Sequence, residues 1–370
     1  MAGAINLYSD TQTRPSEGMR RAIATADVGD EQRREDPTTR HLEERVAELL
    51  GQEAGLFLPS GTMCNQIALR LHARPGGDEL ILDRTAHPII AEAGGPAWNA
   101  GLMIHALEGD GGIFSGDQVR AAIRPDSRYM PRSRVVSVEQ TTNMGGGRVW
   151  PLEAAVRPAG DRYGPRSRLV SVEQTTNIGG GRVWSPAQVQ AVLDVAARHG
   201  LRTHMDGARL MNAVVASGVS AAEFASGFDT AWLDFTKGLG APVGAVLCGS
   251  QELIDEAWRW KQQMGGSMRQ AGIIAAGCLY ALDHNVERLA EDHEHARVLA
   301  DGLAELGCEV VAPETNIVIF TAPDGFVDAM GRHAIELSGT PDGRVRAVTH
   351  LDVGRAEVDE ALKVARTVLP

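Results

Sequence analysis

The sequence predicts an α/β fold, a large domain built on a parallel sheet between helices followed by a smaller C-terminal α+β domain. Three observations predict it. Strand-like apolar runs alternate with helical patterns through the first two thirds of the chain. Polar residues collect at the ends of several of those runs, where parallel sheets bind ligands. Near residue 250 the texture changes to long helical stretches, which divides the chain into residues 1–250 and 251–370.

The elements follow in order. "HLEERVAELLG" (41–51) carries apolar residues at helical spacing and stops at Gly51, a residue suited to a left-handed helix end. "AGLFLPSGTMCNQIALRLHA" reads as strand, tight turn and helix. "DELILD" (78–83) is a short buried strand, and "SGDQVRAAI" is a helix capped by Ser115. "RLVSVEQ" (168–174) is a β-branched run. "SPAQVQAVLDVAARHG" (185–200) is a helix with Ser185 as cap, Pro186 in its first turn and Gly200 past its end. "LRTHMDGA" and "TAWLDFTKG" are two more strands ending in polar residues. Beyond 252 come "ELIDEAWRWKQQM", a long helical stretch, the strands "CEVV", "NIVIF" and "VRAVTHLDV", and a last helix, "AEVDEALKVART".

Composition narrows the function classes. The chain has 370 residues, 43% hydrophobic and 23% charged, as a soluble globular protein has. Its net charge of −12 argues against non-specific affinity for nucleic acid, so an anionic ligand needs local donors. The four cysteines (Cys64, Cys248, Cys278 and Cys308) show no CxxC spacing, and neither a zinc site nor a redox pair is expected. "MAGAINLYSDTQTRP" lacks the basic and apolar regions of a secretion signal, and no apolar stretch approaches the ~20 residues of a membrane span. A cytoplasmic protein is the expectation.

One feature is unusual. "SVEQTTNMGGGRVW" (137–150) recurs as "SVEQTTNIGGGRVW" (171–184), 34 residues later, with Met144 against Ile178 as the one difference. Two copies are too few for a solenoid and indicate a local tandem duplication. A strand needs a short loop into its crossover helix, and the helix from Ser185 follows the second copy directly. Glu173–Asn177 is therefore expected at the site. Residues 127–160 are expected to be an insert without a strand position of its own.

Three segments carry chemistry, each with a plainer reading beside it. In "PSGTMCN" (59–65) a strand delivers small residues to a helix N-terminus, where N–H groups and the hydroxyls of Ser60 and Thr62 suit a phosphate; the same turn also serves as a simple cap. In "HMDGARL" (204–210) Asp206 ends a strand and suits a pyridinium nitrogen, or forms an ordinary ion pair with Arg209. In "DFTKGLGAPVG" (234–244) Lys237 follows a buried strand and suits a Schiff base, or is a solvated loop lysine. Their order is the one that a pyridoxal 5'-phosphate enzyme of the aspartate-aminotransferase fold requires. His87 in "TAHPIIAEAGGPA" (85–97) suits a flat group stacked on the cofactor, or a surface cap, and Glu92 either orients it or faces solvent.

With these residues in view, "NLYSDTQTRP", "VGDEQRREDPT", "LFLPSGTMCNQIAL", "AHPIIAEAGGPA", "HMDGARLMNAVV", "DFTKGLGAPVGAVL", "GGSMRQAGIIAA" and "VRAVTHLDV" together resemble the threonine aldolases, of the β-eliminating lyase group. The resemblance runs from residue 6 to about 365, in the family's order. It implies a mainly parallel seven-stranded sheet and bound pyridoxal phosphate. It implies that Lys237 forms the internal aldimine, that Asp206 meets the ring nitrogen, and that Ser60, Gly61 and Thr62 hold the phosphate. Arg209 would lie by the ring hydroxyl and the substrate carboxylate. His87 would stack on the ring and act as base toward the substrate hydroxyl. Ser9 and Arg346 would bind the α-carboxylate, and Thr176 (or Thr142) would stand at the hydroxyl. Arg269 would approach the phosphate of a neighbouring subunit in a homotetramer, a dimer of dimers with shared sites.

The implied activity is retro-aldol cleavage of L-threonine, L-allo-threonine and related β-hydroxy-α-amino acids to glycine and an aldehyde. Partners would be such small amino acids, with no nucleic acid, membrane or metal. β-Elimination, racemisation and a homologue disabled by the duplication are the competing readings. The chain departs from the family in two places. "EQTTN" stands where "ENTHN" is frequent, which replaces a histidine by threonine, and Arg33 stands where tyrosine is usual. The family's lysine upstream of "GGSMRQ" is displaced by one, to Lys261, so its role is not carried over.

Overall fold

A computed structural model describes residues 4–73, 76–110, 112–125, 127–137, 169–177, 179–340 and 342–370. The chain begins with a short strand, β1 (Ile5–Asn6). The large domain then contributes β2 (Ala54–Leu58), β3 (Asp78–Asp83), β4 (Met103–Leu107), β5 (Arg132–Val136), β6 (Leu169–Glu173), β7 (Arg202–Asp206), β8 (Thr230–Asp234) and β9 (Ala245–Gly249). Among the described residues these form a five-stranded sheet, β2-β9-β8-β7-β6, and a three-stranded sheet, β4-β3-β5. All pairings are parallel except those of β9, which runs antiparallel to β2 and β8. The fold is the mixed α/β arrangement that the strand–helix alternation predicts.

The sheet divides between the lead-in to the first repeat copy and the second copy. β5 belongs to the first copy's lead-in and pairs with β3, while β6 belongs to the second copy and pairs with β7. This corrects the expectation that 127–160 has no strand position, because 132–136 in that segment is a ladder strand. Glu139–Asn143 lies outside the described residues. The seven expected positions become eight strands, since β5 and β6 stand where a single strand would run from β3 to β7.

Local signals explain the helices around the sheet. In the helix Pro37–Leu50 the Asp36 carboxylate accepts from the Thr39 N–H at 2.8 Å, Pro37 opens the first turn, and Gly51 closes the helix with φ of +64°. The helix Pro186–His199 carries a Ser185/Gln188 capping box and ends at Gly200. Ser115 caps its helix through Gln118 in the same way. The apolar stripe of Leu42, Val46 and Leu50 packs into a core shared with Met205, Leu233 and Val246 from the strands.

A second core belongs to the C-terminal part. Strands β10 (Val310–Val311), β11 (Ile317–Phe320), β12 (Ile335–Glu336), β13 (Ser338–Gly339) and β14 (Val345–Val348) follow, and four of them form an antiparallel sheet, β10-β11-β14-β13. β12 instead pairs in parallel with β1, and Leu7 of the N-terminal arm enters this core beside Phe320 and Ala347. The helices Gln251–Gln263 and Gly272–His284 lie beyond the expected division at 250. The second of them packs Ala275, Cys278 and Ala281 into the first core, and the first packs Ile254 and Ala257 against Leu56 and Leu58 of β2. Among the described residues no helix is long and apolar enough to cross a membrane.

Candidate active site

Strand ends and one helix start converge on a cavity of about 230 Å³. β6 delivers Glu173, β7 delivers Asp206, and β8 delivers Asp234 with Lys237 three residues on. The helix Gly61–His72 begins on the same wall with Ser60 as its cap, the Ser60 Oγ accepting from the Met63 N–H at 3.2 Å. Its remaining first-turn N–H groups make an anion site of the kind that helix N-termini provide. Gly61 is required there, because a Cβ would stand 2.2 Å from the Trp232 ring.

Asp206 is half-buried and held by neutral donors. The Asn65 amide donates to its Oδ2 at 2.8 Å and the Ala208 N–H to its Oδ1 at 3.0 Å. Burial pushes its carboxyl above the ordinary value against the pull of Asn65, Lys237 and His87. A carboxylate so placed suits a ligand that brings its own cation. The Lys237 ammonium lies 2.8 Å from Asp234 Oδ2, and Asp234 is almost fully buried.

Arg209 lines the cavity, while Arg346 stands outside the lining residues and reaches it through Asn177. Arg209 donates to both oxygens of Asp10, at 2.8 and 2.7 Å, with both side chains buried. Burial would raise the Asp10 carboxyl, yet the Arg209 charge and hydrogen bond, helped by Arg346 and Lys237, hold it well below the usual carboxylate range. Arg346 donates from Nη1 to the Tyr8 carbonyl at 2.9 Å and from Nη2 to Asn177 Oδ1 at 2.8 Å. Burial and the Arg209 charge lower it to about 10. Its buried Nε has no hydrogen-bond partner among the described residues, which suits an incoming carboxylate.

His87 lines the same cavity, and its Nδ1 lies 3.2 Å from Glu92 Oε1. Burial alone would lower its pKa. The hydrogen bond to Glu92 and the charges of Glu173, Glu92 and Asp206 outweigh that and raise it to about 9. Glu92 is fully buried and so orients His87 instead of facing solvent.

The structure thus brings Ser60, Gly61, Thr62, His87, Asp206, Arg209 and Lys237 to one cavity. Of the lining residues Arg346 touches Asn177, and the other expected residues lie elsewhere. Thr176 is fully buried and its hydroxyl accepts the Arg182 N–H at 3.1 Å, so it does not face the cavity; its neighbour Asn177 does. Ser9 caps a short 3-10 turn through the Thr11 N–H. Arg269 is exposed, 3.9 Å from Asp30, and outside the cavity lining. Lys261 is fully buried in an ion pair with Glu31. Of the expected stretch Glu173–Asn177, Glu173 and Asn177 line the cavity, while sequence reasoning missed Asp10, Asn65 and Asp234 as site residues. Each lies inside a segment already singled out, but nothing local tells a site carboxylate or amide from a cap.

The family model described as beta-eliminating lyase matches residues 6–157 and again 151–324, breaking within the duplicated region. The chain is 35% identical to a low specificity L-threonine aldolase of Escherichia coli, over 96% of each chain. It is 34% identical to low-specificity L-threonine aldolase 1 of Arabidopsis thaliana, over 97% of this chain and 94% of that one. A solved Leishmania major threonine aldolase shares the fold at a TM-score of 0.77 and 18% identity, covering 99% of this chain and 100% of that one. Matched by the family model over most of its length and by curated relatives over nearly all of it, the chain belongs to the β-eliminating lyase family.

Proposed function

We propose that this protein uses pyridoxal 5'-phosphate to cleave L-threonine, L-allo-threonine and related β-hydroxy-α-amino acids to glycine and an aldehyde. The observation that carries the reading is the meeting of Lys237, Asp206 and the helix start at Ser60–Thr62 in one cavity. These would hold the cofactor's carbonyl, ring nitrogen and phosphate in turn. The half-buried Asp206, whose charge is incompletely compensated, fits a protonated ring nitrogen. When bound, the cofactor supplies an electron sink for the pair left at Cα as the Cα–Cβ bond breaks.

The chain's own residues do the rest. Arg346, with its unpartnered Nε, takes the substrate α-carboxylate, and Arg209 adds charge beside it. His87 takes the β-hydroxyl proton, with Glu92 fixing its ring through Nδ1. Arg269, exposed on the surface, is assigned to a neighbouring subunit's phosphate in a homo-oligomer, and sedimentation with Arg269→Ala tests that assignment.

Hydroxyl recognition follows from the placement of Thr176. Thr176 is fully buried and absent from the cavity lining, so His87 is the group assigned to the substrate oxygen. Both Cβ epimers should be cleaved, with kcat/KM values within about tenfold, the worth of one hydrogen bond. Assay of the four threonine stereoisomers for acetaldehyde and glycine is the test. Release of a keto acid and ammonia without aldehyde would instead mean β-elimination, and inversion without aldehyde would mean racemisation.

A further inference from the structure

Asn65 sits on the second turn of the helix whose first turn, at Gly61 and Thr62, faces the cavity. Its amide orientation is fixed by a group that can only donate. The Trp232 Nε1–H points at Asn65 Oδ1 at 2.9 Å, so the oxygen must lie on that side. His204 Nε2 lies 3.3 Å from the same oxygen, and His204 Nδ1 lies 2.8 Å from the Thr230 hydroxyl. The Asn65 NH2 is thereby turned toward two carboxylates, Asp206 Oδ2 at 2.8 Å and Glu92 Oε1 at 3.3 Å.

We infer that Asn65 is a positioning residue for pyridoxal phosphate, which holds Asp206 in register with the phosphate turn and joins it to the carboxylate that orients His87. The inference rests on the cofactor reading proposed above. Its geometry has two parts. The helix that presents the anion site also carries the amide that aims Asp206, so the two subsites keep one spacing. Trp232 locks both, because its ring packs on Gly61 and its N–H holds Asn65. The amide so placed donates to both carboxylates and ties them to one side chain. His204 adds no charge to this network, because burial and the His72 charge outweigh the opposing pull of its Thr230 contact and bring it down to about 3.

The test titrates apoprotein with pyridoxal phosphate and with its 1-deaza analogue, in which carbon replaces the ring nitrogen, and follows absorbance. Asn65→Ala should weaken pyridoxal phosphate roughly tenfold or more, as loss of a hydrogen bond to a charged group does. Affinity for the deaza analogue should stay within about twofold, since Asp206 has no partner on it. Asn65→Asp conserves volume but replaces the donor by a third carboxylate, and should weaken pyridoxal phosphate further. Trp232→Phe frees the amide to turn over and should give an intermediate loss, which decides the question should the Asn65 variants not fold. Unchanged affinity for pyridoxal phosphate, or equal losses for both ligands, would overturn the inference. Failure of the wild-type protein to bind pyridoxal phosphate would overturn the cofactor reading instead.

Discussion

At the residue scale His87 carries the clearest pH dependence. Its pKa rises from 6.5 to about 9 because Glu92, Glu173 and Asp206 outweigh the burial that would lower it. A raised folded-state value stabilises the protein fully below pH 6.5, and that contribution is lost as pH rises through about 9. The Tm advantage of apoprotein over the His87→Asn variant should therefore shrink between these limits. Catalysis runs the other way, since a base must be neutral. In the wild-type enzyme kcat/KM should climb over the same window, and His87→Asn should lose that limb with a roughly 10²–10⁴-fold lower rate. A flat profile in the wild type would remove His87 from the base role. His87 was legible because histidine after a strand is a recognisable signal. Asp10 and Asn65 were not, because their partners Arg209 and Asp206 lie 199 and 141 residues away.

At the element scale, local chemistry was readable and pairing was not. The caps at Ser60, Ser115 and Ser185 and the glycines at 51 and 200 act within one turn of chain, and each stands where the sequence put it. The helices after residue 250 were visible as helices, yet their packing onto N-terminal elements depends on residues far away in sequence. Gly207 shows how closely such elements meet. It follows Asp206 at the end of β7, and a Cβ there would stand 1.7 Å from the Trp232 carbonyl oxygen of β8. Backbone in a paired strand cannot yield as a side-chain tip can. Gly207→Ala should cost about 3 kcal/mol or more and move Asp206 and Trp232 apart. Urea denaturation should show a lower midpoint with unchanged slope, and a midpoint equal to wild type would mean that β7 and β8 slide freely.

At the scale of the whole molecule the question is what the duplication does to the sheet. Val135 of β5 stands opposite Leu80 of β3, and Leu169, its counterpart one repeat later, stands opposite Arg202 of β7. Both side chains enter the same core cluster, with Leu80 and Leu82. Val136 and Val170, the next equivalent pair, pack away from that cluster, in two others. Equivalent residues of the two copies thus take the same faces, one set using its edge toward β3 and the other its edge toward β7. A single strand could use both edges at once in the registers already present. Removing residues 137–170 joins Val136 to Ser171, keeps Glu173 and Asn177 at the cavity, and restores the seven-strand order β4-β3-β5/β6-β7-β8-β9-β2. The shortened protein should fold, bind cofactor, and cleave threonine with kcat/KM within about threefold of the parent. Its unfolding midpoint should be no lower, because closing a shorter connection costs less entropy while both ladders are retained. An insoluble or inactive product would mean that the two strands are not equivalent in place. The second copy would then be a structural part of the sheet, which the fold has come to need.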